Sequence, residues 1–395
     1  MAQDLSTRTG GGVKLVVSGG GTGGHVYPAL TVIDTLLKPG GPQGTTPVLE
    51  QRDLLWIGSR GGMEEGLVAR ADIEFVGLPA GGVRGMGLAM GTRNSVRILR
   101  SAGTARRILT GFGTNVVFIT GGYASVSVAL AAWTKRLPIV IYLPDIVPGM
   151  AIRYLSRLAT RIAVTSEESY RFFPRDKVVV TGYPVRDEVL SLNREEAREG
   201  LGLEHDVKTL LVFGGSRGAR SINRAAVAGL RELLPLCQIV HITGPLDASW
   251  VTGAAKSLPE ELRVRYHQYD YLHDMPQALV AADLVVARAG AATLGEFPAA
   301  GLPAVLVPYP HSGQHQQPNA LYMAASGAAE LLPDAALDDE LVPTVRALLE
   351  DETRWDNMRQ AARAMARPDA AESIAKLLWQ VRRQRNTERP AGGAA

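Results

Sequence analysis

Cysteine is almost absent: Cys237 stands alone among 395 residues. No disulfide framework is possible, and a buried structural thiol is the expected state. Net charge is small too, +3 from 42 Lys+Arg against 39 Asp+Glu, which argues against nucleic acid as a partner. No apolar run approaches the roughly 20 residues that a membrane span needs. The start, Met1-Ala2-Gln3-Asp4-Leu5, has neither the basic nor the apolar region of a secretory signal, so a cytoplasmic chain is expected. No Asp-x-Asp triplet occurs, and neither a metal nor another cofactor is expected. Nothing fits G-x-x-x-x-G-K-[ST], which argues against a P-loop NTPase. What remains, 46% apolar and 21% charged, is an ordinary globular composition.

The length accommodates roughly two to three domains. Short apolar runs alternate with helix-period segments through both halves. In the first half the runs are Val13–Ser18, Leu54–Gly58, Val116–Thr120, Ile139–Leu143, Arg161–Val164 and Val178–Thr181. In the second they are Thr209–Phe213, Gln238–Thr243, Arg263–His267, Leu284–Ala287, Ala304–Val307 and Ala328–Leu332. This rhythm predicts α/β structure with mostly parallel sheets covered by helices. Gly182-Tyr183-Pro184-Val185-Arg186 reads as a hinge, giving domains over 1–183 and 184–366. A helical and then disordered segment is expected over 367–395, after helical patterns over Val345–Ala366 and Ala370–Arg383.

Each half opens on a Gly-rich turn between a strand and a helix. The first is Gly19-Gly20-Gly21-Thr22-Gly23-Gly24-His25, the second Gly214-Gly215-Ser216-Arg217-Gly218-Ala219. Such turns bring a ligand close to the backbone and present amides at a helix N-terminus, where oxyanions bind. Tight strand-to-helix packing alone is the plainer reading of one turn, but the recurrence favours ligand binding. The acidic residue that a dinucleotide fold places about 20 residues on is missing, so redox chemistry is the lesser reading. Two open sheets set edge to edge would bring both turns to one cleft.

Three further stretches carry chemistry. Arg288-Ala289-Gly290-Ala291-Ala292-Thr293-Leu294-Gly295-Glu296 follows an apolar strand with residues small enough to admit phosphates. Glu296, one turn into the helix, can accept two ribose hydroxyls or simply balance the helix dipole. Val307 to Ala320 is a polar loop holding His311, Gln314, His315, Gln316, Gln317 and Asn319, neutral groups suited to sugar hydroxyls. The segment from Arg84 to Arg107 holds Arg84, Arg93, Arg97, Arg100, Arg106 and Arg107 with no acid, interleaved with Met86, Leu88, Met90, Ile98 and Leu99. That face suits an anionic lipid surface, with a solvated helix face over ordinary core as the alternative.

Taken in order, Gly20–His25, Gly121-Gly122-Tyr123-Ala124-Ser125, Gly182–Arg186, Gly214–Ala219, Arg288–Glu296 and His315-Gln316 with Asn319-Ala320 resemble the MurG family. These are peptidoglycan N-acetylglucosaminyltransferases of GT-B fold, with two Rossmann-like domains facing across a cleft. The resemblance covers about residues 13–375. It implies inverting, metal-independent transfer of N-acetylglucosamine from UDP-N-acetylglucosamine to an undecaprenyl-pyrophosphoryl acceptor, giving lipid II. It also implies a peripheral place on the anionic cytoplasmic face of the cell membrane. Residue by residue, Arg186 and Ser216 would meet the donor phosphates and Leu272 the uracil. Ala291, Ala292, Thr293, Leu294 and Gly295 would line the diphosphate, Glu296 would hold the ribose, and Gln316 would meet the donor sugar. Thr22, Gly23 and Gly24 would close over the donor. Gly121, Gly122, Tyr123 and Ser125 would receive the acceptor pyrophosphate.

One stretch departs from the family. Where it usually reads His-Glu-Gln-Asn, this chain has Tyr142-Leu143-Pro144-Asp145. The family's Asn touches the donor, which makes the aligned Asp145 a donor-binding and a catalytic candidate. An anion there can only accept from a sugar hydroxyl and would repel a nearby diphosphate. An imidazole near neutral pH suits a base that takes the acceptor hydroxyl proton late, and His25 is the first candidate. Asp145 is the second, and a structural role for His25 is the alternative. A related UDP-sugar transferase with another lipid acceptor, and a non-catalytic nucleotide-sugar-binding protein, stay open as readings.

Overall fold

The computed structural model of the chain describes residues 13–38, 49–79, 88–215, 218–310 and 315–387, with backbone alone for 88–96 and 383–387. It divides into two compact units. The first takes the chain to Pro144, then Pro148–Pro184 and the segment from Asp369 onward. The second takes Asp145–Val147 and Val185–Pro368.

Strands β1 (Leu15–Ser18), β2 (Leu54–Ser59), β3 (Phe75–Leu78), β4 (Val116–Ile119), β5 (Ile139–Leu143), β6 (Arg161–Val164) and β7 (Val178–Val180) form the sheet of the first unit. They run in the order β3-β2-β1-β4-β5-β6-β7, every pair parallel. The central strands are buried along both faces, the continuous apolar run expected of a parallel sheet between helices. The second unit repeats the plan with β8 (Thr209–Phe213), β9 (Gln238–Ile242), β10 (Tyr266–Tyr269), β11 (Leu284–Ala287), β12 (Ala304–Leu306) and β13 (Ala329–Leu331). Their order is β10-β9-β8-β11-β12-β13, again parallel. The helix Ala370–Thr387 packs on the helix Gly23–Leu37 of the first unit and buries Ile374, Ala375, Leu377, Leu378 and Val381.

Some elements differ from the sequence expectation for local reasons. β3 is a half-buried edge strand interrupted by Gly77, so it lacks an apolar run to announce it. β10 begins at Tyr266 instead of Arg263, because Pro259 with Glu260 and Glu261 starts a helical turn over Glu260–Arg263. The pattern expected over Val345–Ala366 is two helices, Leu337–Glu350 and Glu352–Met365. They part at Asp351, whose carboxylate caps the second by accepting from Arg354 N at 2.9 Å. Helix continues through Thr387 into the segment expected to be disordered, and 388–395 lie outside the described residues.

Each sheet reverses its strand order beside its first strand, between β1 and β4 in one unit and between β8 and β11 in the other. In open α/β sheets the crevice at the carboxyl ends of such a strand pair is where ligands bind. The four loops leaving those strands are the four Gly-containing stretches singled out in the sequence.

Candidate functional site

In the first unit the turns after β1 and β4 are locked together. Gly121 and Gly122 have φ of 133° and 87°, values that side-chain-bearing residues rarely adopt. A Cβ on Gly122 would come within 3.0 Å of the Gly20 backbone, and one on Gly121 within 2.9 Å of the His25 ring. Thr120 Oγ1 donates to His25 O at 2.7 Å, and Ser125 Oγ donates to Ser18 O at 3.1 Å. From β2, Trp56 Nε1 donates to Gly19 O at 3.1 Å.

Out of this frame emerge Thr22, Gly23, Gly24 and His25, as the N-cap and first turn of the helix Gly23–Leu37. The Thr22 hydroxyl makes no cap bond; it lies 3.0 Å from His25 Nδ1. Half-buried His25 therefore has a ring held by Thr22 on one edge and lying against Gly121. Tyr123 is 48% exposed, whereas Ser125 is buried with its hydroxyl bonded to Ser18 and Gly121. Ser125 thus shapes the loop and does not present its side chain to a ligand. Tyr142 is buried as well, its hydroxyl 3.0 Å from Thr165 Oγ1 and donating to Gly182 O at 3.3 Å. The polar group that the family usually carries at this place is here a core tyrosine.

In the second unit Arg186 and Glu296 meet directly. Nε and Nη2 of Arg186 donate to the same oxygen, Glu296 Oε1, at 3.2 and 2.8 Å. Glu296 is the first residue of the helix Glu296–Ala300, behind a 3-10 turn over Ala291–Leu294 and its cap Gly295, not one turn inside a longer helix. The Thr293 hydroxyl is buried and donates to Gly290 O at 2.7 Å, so it stiffens the turn instead of facing a phosphate. Ala291 and Leu294 are buried and Ala292 half-buried. Leu272 is half-buried in the loop after β10, at the carboxyl edge of the sheet. Gln316 opens the helix Gln316–Ala325, and its Oε1 accepts from Tyr309 N at 2.9 Å. Ser216 and His311 to Gln314 lie outside the described residues, as do Arg84 and Met86.

Asp145 belongs to this unit and is held by Asn319, which the sequence offers as one of several groups suited to sugar hydroxyls but which is fully buried and serves as an anchor. Asn319 Nδ2 donates to Asp145 Oδ1 at 2.8 Å and to Ala289 O at 3.1 Å, while its Oδ1 accepts from Ile146 N at 3.0 Å. The carboxylate is therefore oriented by an amide that is itself anchored by Ala289 O and Ile146 N. Sequence reasoning missed the chain Tyr266–His241–Asn223–Asp247–Arg220, which runs from a half-buried tyrosine through three buried residues to an exposed arginine. Tyr266 Oη lies 2.7 Å from His241 Nδ1, and Asn223 Oδ1 lies 3.1 Å from His241 Nε2. Asn223 Nδ2 and Arg220 Nε each donate to Asp247 at 2.8 Å. Burial holds His241 neutral, pushing its pKa down to about 4. Burial alone would raise Asp247, but hydrogen bonds from Arg220 and Asn223 outweigh it and leave the carboxyl below its ordinary value. This network fixes the helix Arg220–Ala228 that follows the second Gly-rich turn. No motif announces it, since its members are scattered polar residues at unremarked helix and strand positions. Cys237 is buried, its thiol pushed up to about 12 by desolvation, and so is no nucleophile. Among the described residues no group of three or more His, Cys, Asp or Glu could hold a metal ion.

The glycosyltransferase family 28 N-terminal domain matches residues 15–164, and the family 28 C-terminal domain matches residues 209–374. The chain is 42% identical to the UDP-N-acetylglucosamine–N-acetylmuramyl-(pentapeptide) pyrophosphoryl-undecaprenol N-acetylglucosamine transferase of Roseiflexus sp. (strain RS-1), over 91% of this chain and 93% of that one. It is 39% identical to the protein of the same name from Halalkalibacterium halodurans, over 93% and 99%. The crystal structure of Acinetobacter baumannii MurG superposes with a TM-score of 0.71 at 25% identity, over 93% of this chain and 99% of that one.

Proposed function

The chain belongs to the MurG family of N-acetylglucosaminyltransferases, and from that membership we infer that it makes lipid II. Its two Rossmann-like units are the two domains of the GT-B fold. The reaction moves N-acetylglucosamine from UDP-N-acetylglucosamine to the muramoyl sugar of undecaprenyl-pyrophosphoryl N-acetylmuramyl-pentapeptide, with inversion. The observation that carries this reading is the likeness to the named transferases over more than nine-tenths of the chain, through both glycine-cornered units.

Transfer with inversion is an in-line displacement, and its largest charge change falls on the departing diphosphate. In our reading that charge is met in the second unit by the Arg186 guanidinium and by amides at the turns after β8 and β11. Glu296 accepts the ribose hydroxyls while Arg186 orients it through Oε1. Leu272 borders the uracil and Gln316 the sugar. In the first unit, the Gly121–Tyr123 backbone receives the acceptor pyrophosphate. His25 is the base: in the tautomer whose Nδ1–H donates to Thr22 Oγ1, Nε2 carries the lone pair that takes the hydroxyl proton. Asp145, oriented by Asn319, is the second candidate.

We also assign the chain to the cytoplasmic membrane surface. No helix among the described residues is long and apolar enough to cross a membrane, so attachment would be peripheral. Arg97, Arg100, Arg106 and Arg107 are exposed on the helix Leu88–Phe112, with Leu99 66% exposed among them. That helix packs on Ala124–Thr134, whose Trp133 is 56% exposed.

The test is to incubate the purified chain with labelled UDP-N-acetylglucosamine and a panel of polyprenyl-linked acceptors. Label in the product of the N-acetylmuramyl-pentapeptide acceptor supports the reading. Label in another lipid alone favours a related transferase, the second reading that the buried Tyr142 and anionic Asp145 motivate. UDP binding with no labelled lipid points to a nucleotide-sugar-binding protein.

A further inference from the structure

Two carboxylates outside the roles above occupy matching places in the two units. Glu64 is the second residue of the helix Met63–Arg70 after β2, and Asp247 directly precedes the helix Ala248–Ala255 after β9. Each reaches toward the Gly-rich corner of its unit, but to different groups. Asp247 meets side chains, Arg220 and Asn223. Glu64 meets backbone: Oε1 accepts from Ser59 N at 2.8 Å, and Oε2 accepts from Gly21 N at 3.3 Å.

Glu64 is 1% exposed and has no ion-pair partner among the described residues. Three glycines make its room: a Cβ on Gly20, Gly58 or Gly62 would collide with or crowd its side chain. Burying a carboxylate without a cation is costly, and here it is supported by amide donors and the first turn of its own helix. Both oxygens accept an N–H, so the ionised form is the one that fits. Protonation would set an O–H against one of the two donors.

We propose that Glu64 is a positioning residue for transfer. Its carboxylate clamps the inner side of the Gly20–Gly21 turn to the end of β2, and so sets the height and tilt at which Thr22 and His25 leave the turn. Trp56 Nε1 on Gly19 O is a second brace from the same strand, but it holds the carbonyl before the turn and not the amide inside it. Glu64 touches no substrate and takes no proton in the cycle. The inference rests on the transferase reading, in which His25 must lie within hydrogen-bond reach of the acceptor hydroxyl, where a misplacement of about 1 Å can cost about 100-fold in rate.

The experiment uses the full chain, its Glu64→Gln and Glu64→Ala variants, the lipid-acceptor transfer assay and calorimetric UDP binding. Gln can accept from one of the two amides only and turns an NH2 against the other, so it reproduces the protonated state. The expected result for Glu64→Gln is a fall in kcat of about tenfold or more, with UDP affinity and donor KM within about twofold of wild type. For Glu64→Ala the loss is larger, and formate restores part of it while chloride at equal ionic strength does not. A merely structural glutamate would lower the melting temperature and leave kcat per folded chain unchanged; that result overturns the proposal. So does a Glu64→Gln enzyme with wild-type kcat, or a formate effect no larger than that of chloride. Should Glu64→Ala fail to fold, Glu64→Gln decides alone. If the wild-type chain labels no lipid, it is the transferase reading that fails; if it does and Glu64→Gln matches it, only this inference fails.

Discussion

At the switch point of the first unit, side chains bond to backbone: Trp56 to Gly19, Thr120 to His25, Ser125 to Ser18, and Glu64 to Gly21 and Ser59. At the switch point of the second, charged side chains bond to one another, Arg186 to Glu296, Arg220 to Asp247 and Arg288 to Asp334. One topology therefore supports two chemistries. A turn braced through its backbone presents a fixed imidazole and, in our reading, leaves helix-terminal amides for an acceptor. A corner built from ion pairs can re-pair its guanidiniums when a diphosphate arrives, at small electrostatic cost. Changes in the first unit should accordingly act on kcat, and changes in the second on donor affinity.

The sharpest break of that contrast is His25→Ala. Removing a general base costs about 10²–10⁴-fold in turnover, while calorimetric UDP affinity should stay at the wild-type value. Turnover that survives the substitution would move the base to Asp145 and erase the division of labour.

What was legible in the sequence divides along the same line. The four turns at the switch points were readable because small residues after an apolar run have a direct backbone cause. The parallel sheets were readable because their strands are buried on both faces. Asn319 carried no periodic signal as an anchor, since a buried amide inside a polar loop looks like its solvated neighbours. Glu64 and Asp247 each sit at a helix start, where an acid already has an ordinary explanation in the dipole. The resemblance sets Ser125 and Thr293 beside ligand phosphates, but sequence cannot reveal that each hydroxyl is satisfied within its own turn. Tyr142 stands where the family has an imidazole, and only burial reveals that it serves the core.

The second effect in size is on stability, and is expected in the second unit. His241 has a folded pKa of about 4 against an unfolded value near 6.5, because burial disfavours its charged form. Between these values the unfolded chain binds the proton and the folded chain does not. Stability is therefore complete above about pH 6.5 and lost as pH falls toward 4. From pH 7 to pH 5 the loss is about 2 kcal/mol. His267 on β10 is lowered for the same reason and acts in the same direction. Hydrogen exchange should show β8 and β9 losing protection on acidification before β1 and β4. Equal loss in both units would break the contrast.

Glu296→Ala comes third. The apparent KM for UDP-N-acetylglucosamine should rise about tenfold, equivalent to about 1.4 kcal/mol, the order of a charged hydrogen-bond contact. Turnover at saturating donor should change little. An unaltered KM would remove Glu296 from the ribose and leave it as the partner of Arg186 alone.

The smallest expected effects are on the surface, where the units differ again. Arg224, Arg263, Arg265, Arg346 and Arg354 of the second unit each pair with a carboxylate. Arg97, Arg100, Arg106 and Arg107 of the first form no ion pair among the described residues, and Arg97, Arg100 and Arg107 fall on one stripe of their helix. An arginine already answered by an acid gives up that contact before it can meet a lipid phosphate, whereas an unanswered one gives up only water. Each unanswered cation near an anionic bilayer contributes about 1 kcal/mol, so Arg100→Gln or Arg107→Gln should weaken flotation with anionic liposomes about fivefold. Raising the salt should shrink the difference, because these charges are exposed and screened. Arg224→Gln and Arg346→Gln in the second unit should leave flotation unchanged. If they weaken it equally, net charge and not a particular face governs attachment; if the wild type floats no better on anionic than on neutral liposomes, the membrane assignment itself falls.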